Sequence, residues 1–230
     1  MADKHLLLVG ASRGLGLAMA AEFVKTGWNV TGTVRGSART GLHDLADSHA
    51  GRVAIESLDI TEPGQIAALS ARLSGRRFDI LFVNAGTTNA HDAGIADVTT
   101  EEFVRVMVTN ALSPMRVVEG LQDLVSPAGM IGVMSSGQGS LANNTNGLHD
   151  VYRGSKAALN MYMRSYAARH AGEPRALVLM APGWIRTELG GPHAPFSVED
   201  AIPKVVAVLL AQQGKAGLQY LDREGKTVPW

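Results

Sequence analysis

The sequence predicts an α/β fold, a doubly wound and mainly parallel sheet in a single domain. Short apolar runs alternate with longer amphipathic segments along the whole chain. Runs such as Asp79-Ile80-Leu81-Phe82-Val83 are apolar at almost every position, as strands are when helices cover both faces of a sheet. Parallel neighbours need crossover connections, and segments of helical length supply them. The size agrees: 230 residues, 46% hydrophobic and 18% charged, suit one folded domain over 1–230 rather than a disordered chain.

Taken in order, strands are expected over 5–10, 29–34, 52–58, 79–84, 128–134, 175–181 and 217–220. Helices are expected over 14–26, 40–48, 63–75, 101–124, 150–170 and 198–211. Thr99-Thr100-Glu101-Glu102 and Ser197-Val198-Glu199-Asp200 each put a hydroxyl at a helix cap and an acid in the first turn. Pro63 falls in a first turn, where a missing N–H costs little. Glycine and proline gather over 183–195, which predicts a long loop, about 184–197, acting as a lid.

Composition excludes several classes. Lys+Arg and Asp+Glu both total 21, so the net charge is zero. A neutral chain is a poor polyanion binder, so no nucleic-acid partner is expected. The absence of cysteine excludes disulfides and thiolate metal sites and fits a reducing, cytoplasmic setting. Gly10 ends the apolar run Leu6–Val9 too early for a signal peptide, and no run approaches a membrane span. The seven histidines form no ligand-like spacing, so no metal is expected. His91, His149 and His193 lie in loops that could flank a pocket, though exposed loop histidines are ordinary.

The first strand runs into Gly10-Ala11-Ser12-Arg13-Gly14-Leu15-Gly16 and then a helix. Such a turn lets backbone N–H groups approach a pyrophosphate at a helix N-terminus. A glycine-rich turn with no ligand also fits, but the place after the first strand favours a dinucleotide. The second strand ends Thr33-Val34-Arg35, with no acid until Asp44. An acid there would hold the ribose hydroxyls of NAD, whereas cations hold the 2′-phosphate of NADP. Arg13 and Arg35 therefore point to NADP(H) by charge-assisted hydrogen bonds, with two solvated arginines as the plainer reading.

Tyr152 and Lys156 are four apart, on one face of a helix. A phenol near pKa 10 is a poor acid or base at neutral pH, and a neighbouring ammonium is expected to lower it. Ser136 follows the fifth strand, at the end where such sheets bind ligands, although serines there also form turns.

With these residues in order, the chain resembles the short-chain dehydrogenase/reductase family over nearly its whole length. The resemblance rests on Gly10-xxx-Gly14-x-Gly16, Asn84-Ala85-Gly86, Ser136, Tyr152-xxx-Lys156 and Pro182-Gly183. Residues 152–161 and the final Pro229-Trp230 resemble the carbonyl-reductase and C-factor group, which includes the Sniffer proteins. The resemblance implies a Rossmann-type sheet in the order 3-2-1-4-5-6-7. It implies Tyr152 as proton donor in reduction, Lys156 on the nicotinamide ribose, Ser136 on the substrate carbonyl and Asn110 in a water-borne proton relay. It places Gly10, Ser12, Arg13, Gly14, Leu15, Gly16, Arg35, Asp59, Ile60, Asn84, Ala85 and Gly86 on the cofactor. Tyr152, Lys156, Pro182, Gly183, Trp184, Ile185 and Thr187 join them on the nicotinamide side. Val9 and Val83 depart from the family pattern, where threonine and asparagine are common, and reduced loop bracing is expected there.

Asn110 has an argument of its own. Pro114 lacks the N–H that would bond the Asn110 carbonyl in a helix, which leaves that oxygen seeking a partner. A plain proline kink with a solvated carbonyl is the alternative. The 101–124 segment is apolar nearly all round, which predicts burial on two sides, one against the sheet and the other against a partner copy or a loop of the same chain. Met161 and Met163 are expected as core and interface filler, and Arg164 and Arg169 as a solvated face.

The reading is an NADPH-dependent oxidoreductase reducing a ketone, aldehyde or quinone. Leu141, Leu148, Trp184, Leu189 and Phe196 favour a hydrophobic substrate, and a homodimer is expected. Two alternatives stay open: a C-factor-like dinucleotide-binding signalling protein, and an NAD-dependent alcohol dehydrogenase of the same fold.

Overall fold

The computed structural model describes residues 3–89 and 94–230. His91 and part of the expected pocket wall near 87–95 lie outside the described residues. Seven parallel strands form one sheet in the order β3-β2-β1-β4-β5-β6-β7. They are β1 (His5–Val9), β2 (Asn29–Val34), β3 (Val53–Ser57), β4 (Phe78–Val83), β5 (Val125–Met134), β6 (Ala176–Ala181) and β7 (Gly217–Asp222). The helices are α1 (Gly14–Lys25), α2 (Gly41–Ser48), α3 (Pro63–Arg72), α4 (Thr100–Met107), α5 (Ser113–Leu121), α6 (Asp150–Arg169) and α7 (Val198–Gln212). The order is the one expected from the family resemblance.

The alternation of β1 explains the layers. Leu6 and Leu8 pack with Met19, Phe23, Val205 and Leu209, on the α1 and α7 side. Leu7 and Val9 pack with Val117, Val118, Leu159 and Tyr166, on the α5 and α6 side. Successive strand residues face opposite ways, so one apolar run feeds two cores. β1 pairs with both β2 and β4. The chain order therefore reverses there, which opens a crevice at the carboxyl ends of the strands.

Two helix caps behave as the sequence indicates: Thr99 Oγ1 accepts from Glu102 N–H at 3.2 Å and Ser197 Oγ from Asp200 N–H at 3.1 Å. β5 starts three residues earlier than expected, at Val125. The expected 101–124 helix is broken. Between α4 and α5 the backbone makes a π turn over Val108–Leu112, and the Ser113 N–H donates to the Val108 carbonyl. Pro114 cannot donate to Asn110, and the wider turn accommodates that loss without a free kink.

The burial expected all round this segment holds only in part. Val106, Val117, Val118 and Leu121 are buried, whereas Phe103, Val104 and Leu112 are exposed. On α6, Met163 is core but Met161 is exposed. Arg164 is not simply solvated: its guanidinium lies 4.6 Å from the Trp230 ring centroid. Arg169 pairs with Glu119. Among the described residues, no helix is long and apolar enough to cross a membrane.

Candidate active site

The glycine turn sits at the switch point. Gly10 has φ +87°, and a Cβ there would fall 2.8 Å from the Ala85 nitrogen. A Cβ on Gly16 would fall 2.0 Å from the Gly10 carbonyl oxygen. Both positions need glycine so that α1 can start hard against the turn. Neighbouring strands fix the turn: Thr33 Oγ1 accepts from Gly10 N–H at 3.0 Å, and Asn84 Nδ2 donates to the Gly10 carbonyl at 2.8 Å. Ala85 N–H donates to the Val9 carbonyl at 3.1 Å. Asn84, Ala85 and the glycine turn are thus one bonded unit, with Arg13 exposed at its rim.

The chemistry-bearing residues converge where β4 and β5 end. Ser136 leaves β5, and its Oγ accepts from Gln138 N–H at 3.1 Å. That acceptor bond is the turn-forming role, and the hydroxyl proton remains to serve another oxygen. Tyr152 stands in the first turn of α6. Burial pushes the Tyr152 phenol above its ordinary pKa, and a hydrogen bond with Ser136 partly opposes the rise. This reverses the expectation that a neighbouring ammonium lowers it. Lys156 Nζ lies 5.8 Å from the ring centroid and donates to the Met134 carbonyl at 2.9 Å. Lys156 is only 4% exposed, and burial lowers its own pKa to about 8. Desolvation therefore dominates both groups. His149, just before α6, has φ 63°, a left-handed backbone that is rare without glycine.

Asn110 is fully buried in the π turn. Its Oδ1 accepts from Thr87 N–H at 2.8 Å, and its Nδ2 donates to the Thr87 carbonyl at 2.8 Å. Nδ2 also donates to Ser155 Oγ at 3.0 Å, and Ser155 Oγ–H donates to the Tyr152 carbonyl at 2.7 Å. The asparagine therefore ties the β4 exit to α6 through its side chain, a role that the helical bond lost at Pro114 does not signal. A Cβ on Gly86 would lie 3.3 Å from Asn110 Oδ1 and 3.6 Å from Lys156 Nζ. Glycine there keeps the space beside the lysine clear.

The remaining candidates spread around this centre. Asp59 Oδ1 accepts from the Thr61 N–H at 2.9 Å and the Thr61 hydroxyl at 2.7 Å. These bonds, with the Arg35 charge nearby, hold its carboxyl below the usual range against the opposing effect of burial. Ile60 and Pro182 are buried, and Ser12 and Leu15 are half-buried. Gly183 precedes the 184–197 loop, whose base is closed by a bridge between Ile185 and Phe196. Trp184 is exposed, and its indole N–H donates to the Gly190 carbonyl at 2.6 Å. Thr187 Oγ1 accepts from Gly190 N–H at 3.0 Å. In the same loop, Glu188 pairs with Arg13 at 2.8 Å. The two proposed phosphate cations therefore each have an acidic neighbour: Arg13 has Glu188, and Arg35 has Asp59.

Sequence reasoning missed Thr87, Ser155, Asn160, Glu188 and Tyr220. Their roles depend on partners distant in the chain, such as Asn110 for Thr87, Ser136 for Tyr220 and Arg13 for Glu188, and no local spacing signals them.

Residues 10–208 match a family model described as enoyl-(acyl carrier protein) reductase. A Burkholderia multivorans protein described as a short-chain dehydrogenase/reductase, solved with bound NADP, is 63% identical, with TM-score 0.98 and full coverage of both chains. A carbonyl reductase of Pseudomonas aeruginosa in complex with NADP is 34% identical, with TM-score 0.91 and full coverage of both chains. The C-signal of Myxococcus xanthus is 34% identical over 154 residues, which cover 66% of this chain and 92% of that protein. On the family match, these relatives and the shared sheet order, the chain belongs to the short-chain dehydrogenase/reductase family and is an NAD(P)-dependent oxidoreductase.

Proposed function

We propose that the protein reduces the carbonyl group of a small hydrophobic ketone, aldehyde or quinone with NADPH. The observation that carries this reading is the meeting of Ser136, Tyr152 and Lys156 beside the Asn84–Gly86 exit and the glycine turn. The residues present suit a dinucleotide. The turn offers backbone N–H groups at a helix start, and Gly86 leaves room beside Lys156. In this reading Gly10 to Gly16, Asn84, Ala85 and Gly86 hold the dinucleotide, with Asp59 and Ile60 near its adenine. Ile185, Thr187 and the Pro182-Gly183-Trp184 turn flank the nicotinamide. When bound, NADPH supplies the hydride that reaches the carbonyl carbon.

The chain's own residues handle position and proton. Ser136 donates a hydrogen bond to the substrate oxygen and orients it. Tyr152 gives its proton to that oxygen as the alcohol forms. A raised phenol pKa keeps the phenol protonated at neutral pH, the form that reduction uses. Lys156 holds the nicotinamide ribose, and a water at the Asn110 carbonyl relays the replacement proton toward it. Arg13 and Arg35, with no acid ending β2, favour NADPH over NADH. Exposed Leu141, Leu148 and Leu189 suit an apolar substrate. Exposed Phe103, Val104, Leu112, Met161 and Tyr162 on the α4–α6 side suit a second copy of the chain.

The C-signal relative supports one other reading, in which a bound dinucleotide serves signalling rather than turnover. Fluorescence titration with NADPH and NADH, followed by NADPH oxidation assays with 4-nitrobenzaldehyde and 9,10-phenanthrenequinone, decides between them. Tighter NADPH binding with turnover is expected. Equal or NADH-favoured binding overturns the phosphate clamp, and NADPH binding without turnover of either carbonyl favours signalling.

A further inference from the structure

We propose that Tyr220, on β7, is a positioning residue that acts through Ser136, fixing the backbone of the serine that orients the substrate carbonyl. The inference rests on the carbonyl-reduction reading of Ser136 and adds a residue outside the set that reading uses.

The sheet stops holding the chain just before this serine. The β5–β6 ladder ends at Met134, and one further bond runs from Ser135 N–H to the Met180 carbonyl at 2.8 Å. Past that point the segment is held by its own short turn, in which Ser140 N–H donates to the Gly137 carbonyl at 3.3 Å, and by side chains. Lys156 Nζ takes the Met134 carbonyl at 2.9 Å, and Ser135 Oγ–H donates to Asn160 Oδ1 at 2.6 Å. Asn160 Nδ2 takes the Gly139 carbonyl at 3.2 Å. These tethers all run to α6. The Ser136 carbonyl is taken from β7, by the hydroxyl of Tyr220.

Tyr220 is built for this contact. It is 1% exposed and belongs to the same core cluster as Leu179 and Leu159. A phenylalanine would fill most of that space, so packing alone does not call for the oxygen. The Ser136 carbonyl already accepts from Gly139 N–H at 2.9 Å, and the Tyr220 hydroxyl is a second donor that ties it to β7. The residues after β7 brace the ring. Val228 N–H donates to the Tyr220 carbonyl at 2.8 Å, and the Trp230 ring lies 5.3 Å from the Tyr220 ring. The Trp230 carbonyl then accepts from Ala142 N–H at 3.0 Å. β7 and its extension thus grip 136–142 from the edge of the sheet while α6 grips 134–139 from above. A serine hydroxyl held between two elements keeps its aim, and small misplacements of such groups are costly in rate.

The test uses the full chain, with 4-nitrobenzaldehyde and 9,10-phenanthrenequinone as probes. Tyr220→Phe, Trp230→Ala and Ser136→Ala are compared, with kcat expressed per NADPH-binding site. Tyr220→Phe is expected to lower kcat about 10-fold and Trp230→Ala about 3-fold, in line with sub-ångström misalignment. NADPH affinity should stay within about twofold, and the isotope effect from NADPH deuterated at the transferred position should be no smaller than in the wild type. A purely structural role removes active molecules instead, so kcat per binding site would not move. Unchanged kcat per site in both variants, or a smaller isotope effect, overturns the inference. Should Tyr220→Phe fail to fold, Trp230→Ala decides alone by the same criteria. Loss of turnover in Ser136→Ala with wild-type behaviour in the other two sinks only this inference. Turnover undiminished in Ser136→Ala, or no turnover of either probe by the wild type, sinks the underlying reading as well.

Discussion

Two stretches that follow strand ends, the β5 exit and the loop after β6, are held in opposite ways. The β5 exit, Met134 to Gly139, is fastened by the buried side chains of Lys156, Asn160 and Tyr220. The loop after β6 is fastened to the glycine turn by the Arg13–Glu188 pair, whose side chains are 70% and 74% exposed. Buried hydrogen bonds are costly to break because the freed groups stay out of water. Exposed ion pairs are screened and contribute about 0–1 kcal/mol. The difference separates two tasks. In the proposed function, the side that would handle the proton is held by buried bonds, and the side that would admit the dinucleotide is held by an exposed ion pair. The base of the 184–197 loop is held by the Ile185–Phe196 bridge and by Arg223, which lies 3.6 Å from the Phe196 ring centroid.

If the division is real, a change on the side held by buried bonds should alter chemistry and spare cofactor binding. Tyr152→Phe gives the largest such effect. Removing the phenolic proton should lower kcat by about 10³-fold or more, at the upper part of the range for a lost general acid. NADPH affinity by fluorescence should remain within about twofold, since the ring stays. In the wild type, reduction should decline at alkaline pH as the phenol ionises, and alcohol oxidation should rise over the same range. A variant that reduces the probes at the wild-type rate, or that loses NADPH binding along with turnover, breaks the division.

Lys156→Met comes next, read as stability rather than rate. The folded pKa of Lys156 is about 8, against 10.5 for the free side chain. Between these values the unfolded chain binds a proton that the folded chain does not. Stability contributed by this group therefore rises with pH from about 8 to 10.5 and is lowest below 8, a swing of about 3 kcal/mol. Urea unfolding at pH 7 and pH 10 should show the gain in the wild type and lack it in Lys156→Met. The same gain in both proteins would mean the lysine is not the buried charge it is taken to be.

These two regions also differ in how much the sequence discloses. The parallel sheet, the glycine turn and the Tyr152–Lys156 pair were legible because each is written in local spacing or in the alternation of apolar runs, whereas the strand order came with the family resemblance. The π turn was half legible. Pro114 signalled a missing bond, but a kink and a widened turn fit the same sequence, and only the backbone around Val108 and Ser113 distinguishes them. The tethers of Ser136 were not legible. Tyr220 reaches it across 84 residues, and a tyrosine in a strand looks like core filler. The raised phenol pKa escaped for a related reason. Spacing shows that a cation is near, whereas burial, which decides the sign here, is a property of the whole packed chain.

Glu188→Gln probes the side held by the exposed pair and should give the smallest effect. Arg13 has donors to spare, but its NH1 is 2.8 Å from the Glu188 carboxylate. A 2′-phosphate brought to Arg13 would meet that carboxylate as a like charge. Neutralising it should tighten NADPH about two- to fivefold, the scale of an exposed ion pair, with little change for NADH, which carries no such phosphate. The NADPH gain should fade at high salt, because screening acts on the repulsion itself. Melting temperature and kcat should not move, since neither depends on this exposed pair. Equal tightening of both cofactors would mean that Glu188 latches the loop rather than opposing the phosphate. A marked drop in melting temperature would mean that the exposed pair is structural, and the contrast between the two stretches would fail at its weaker end.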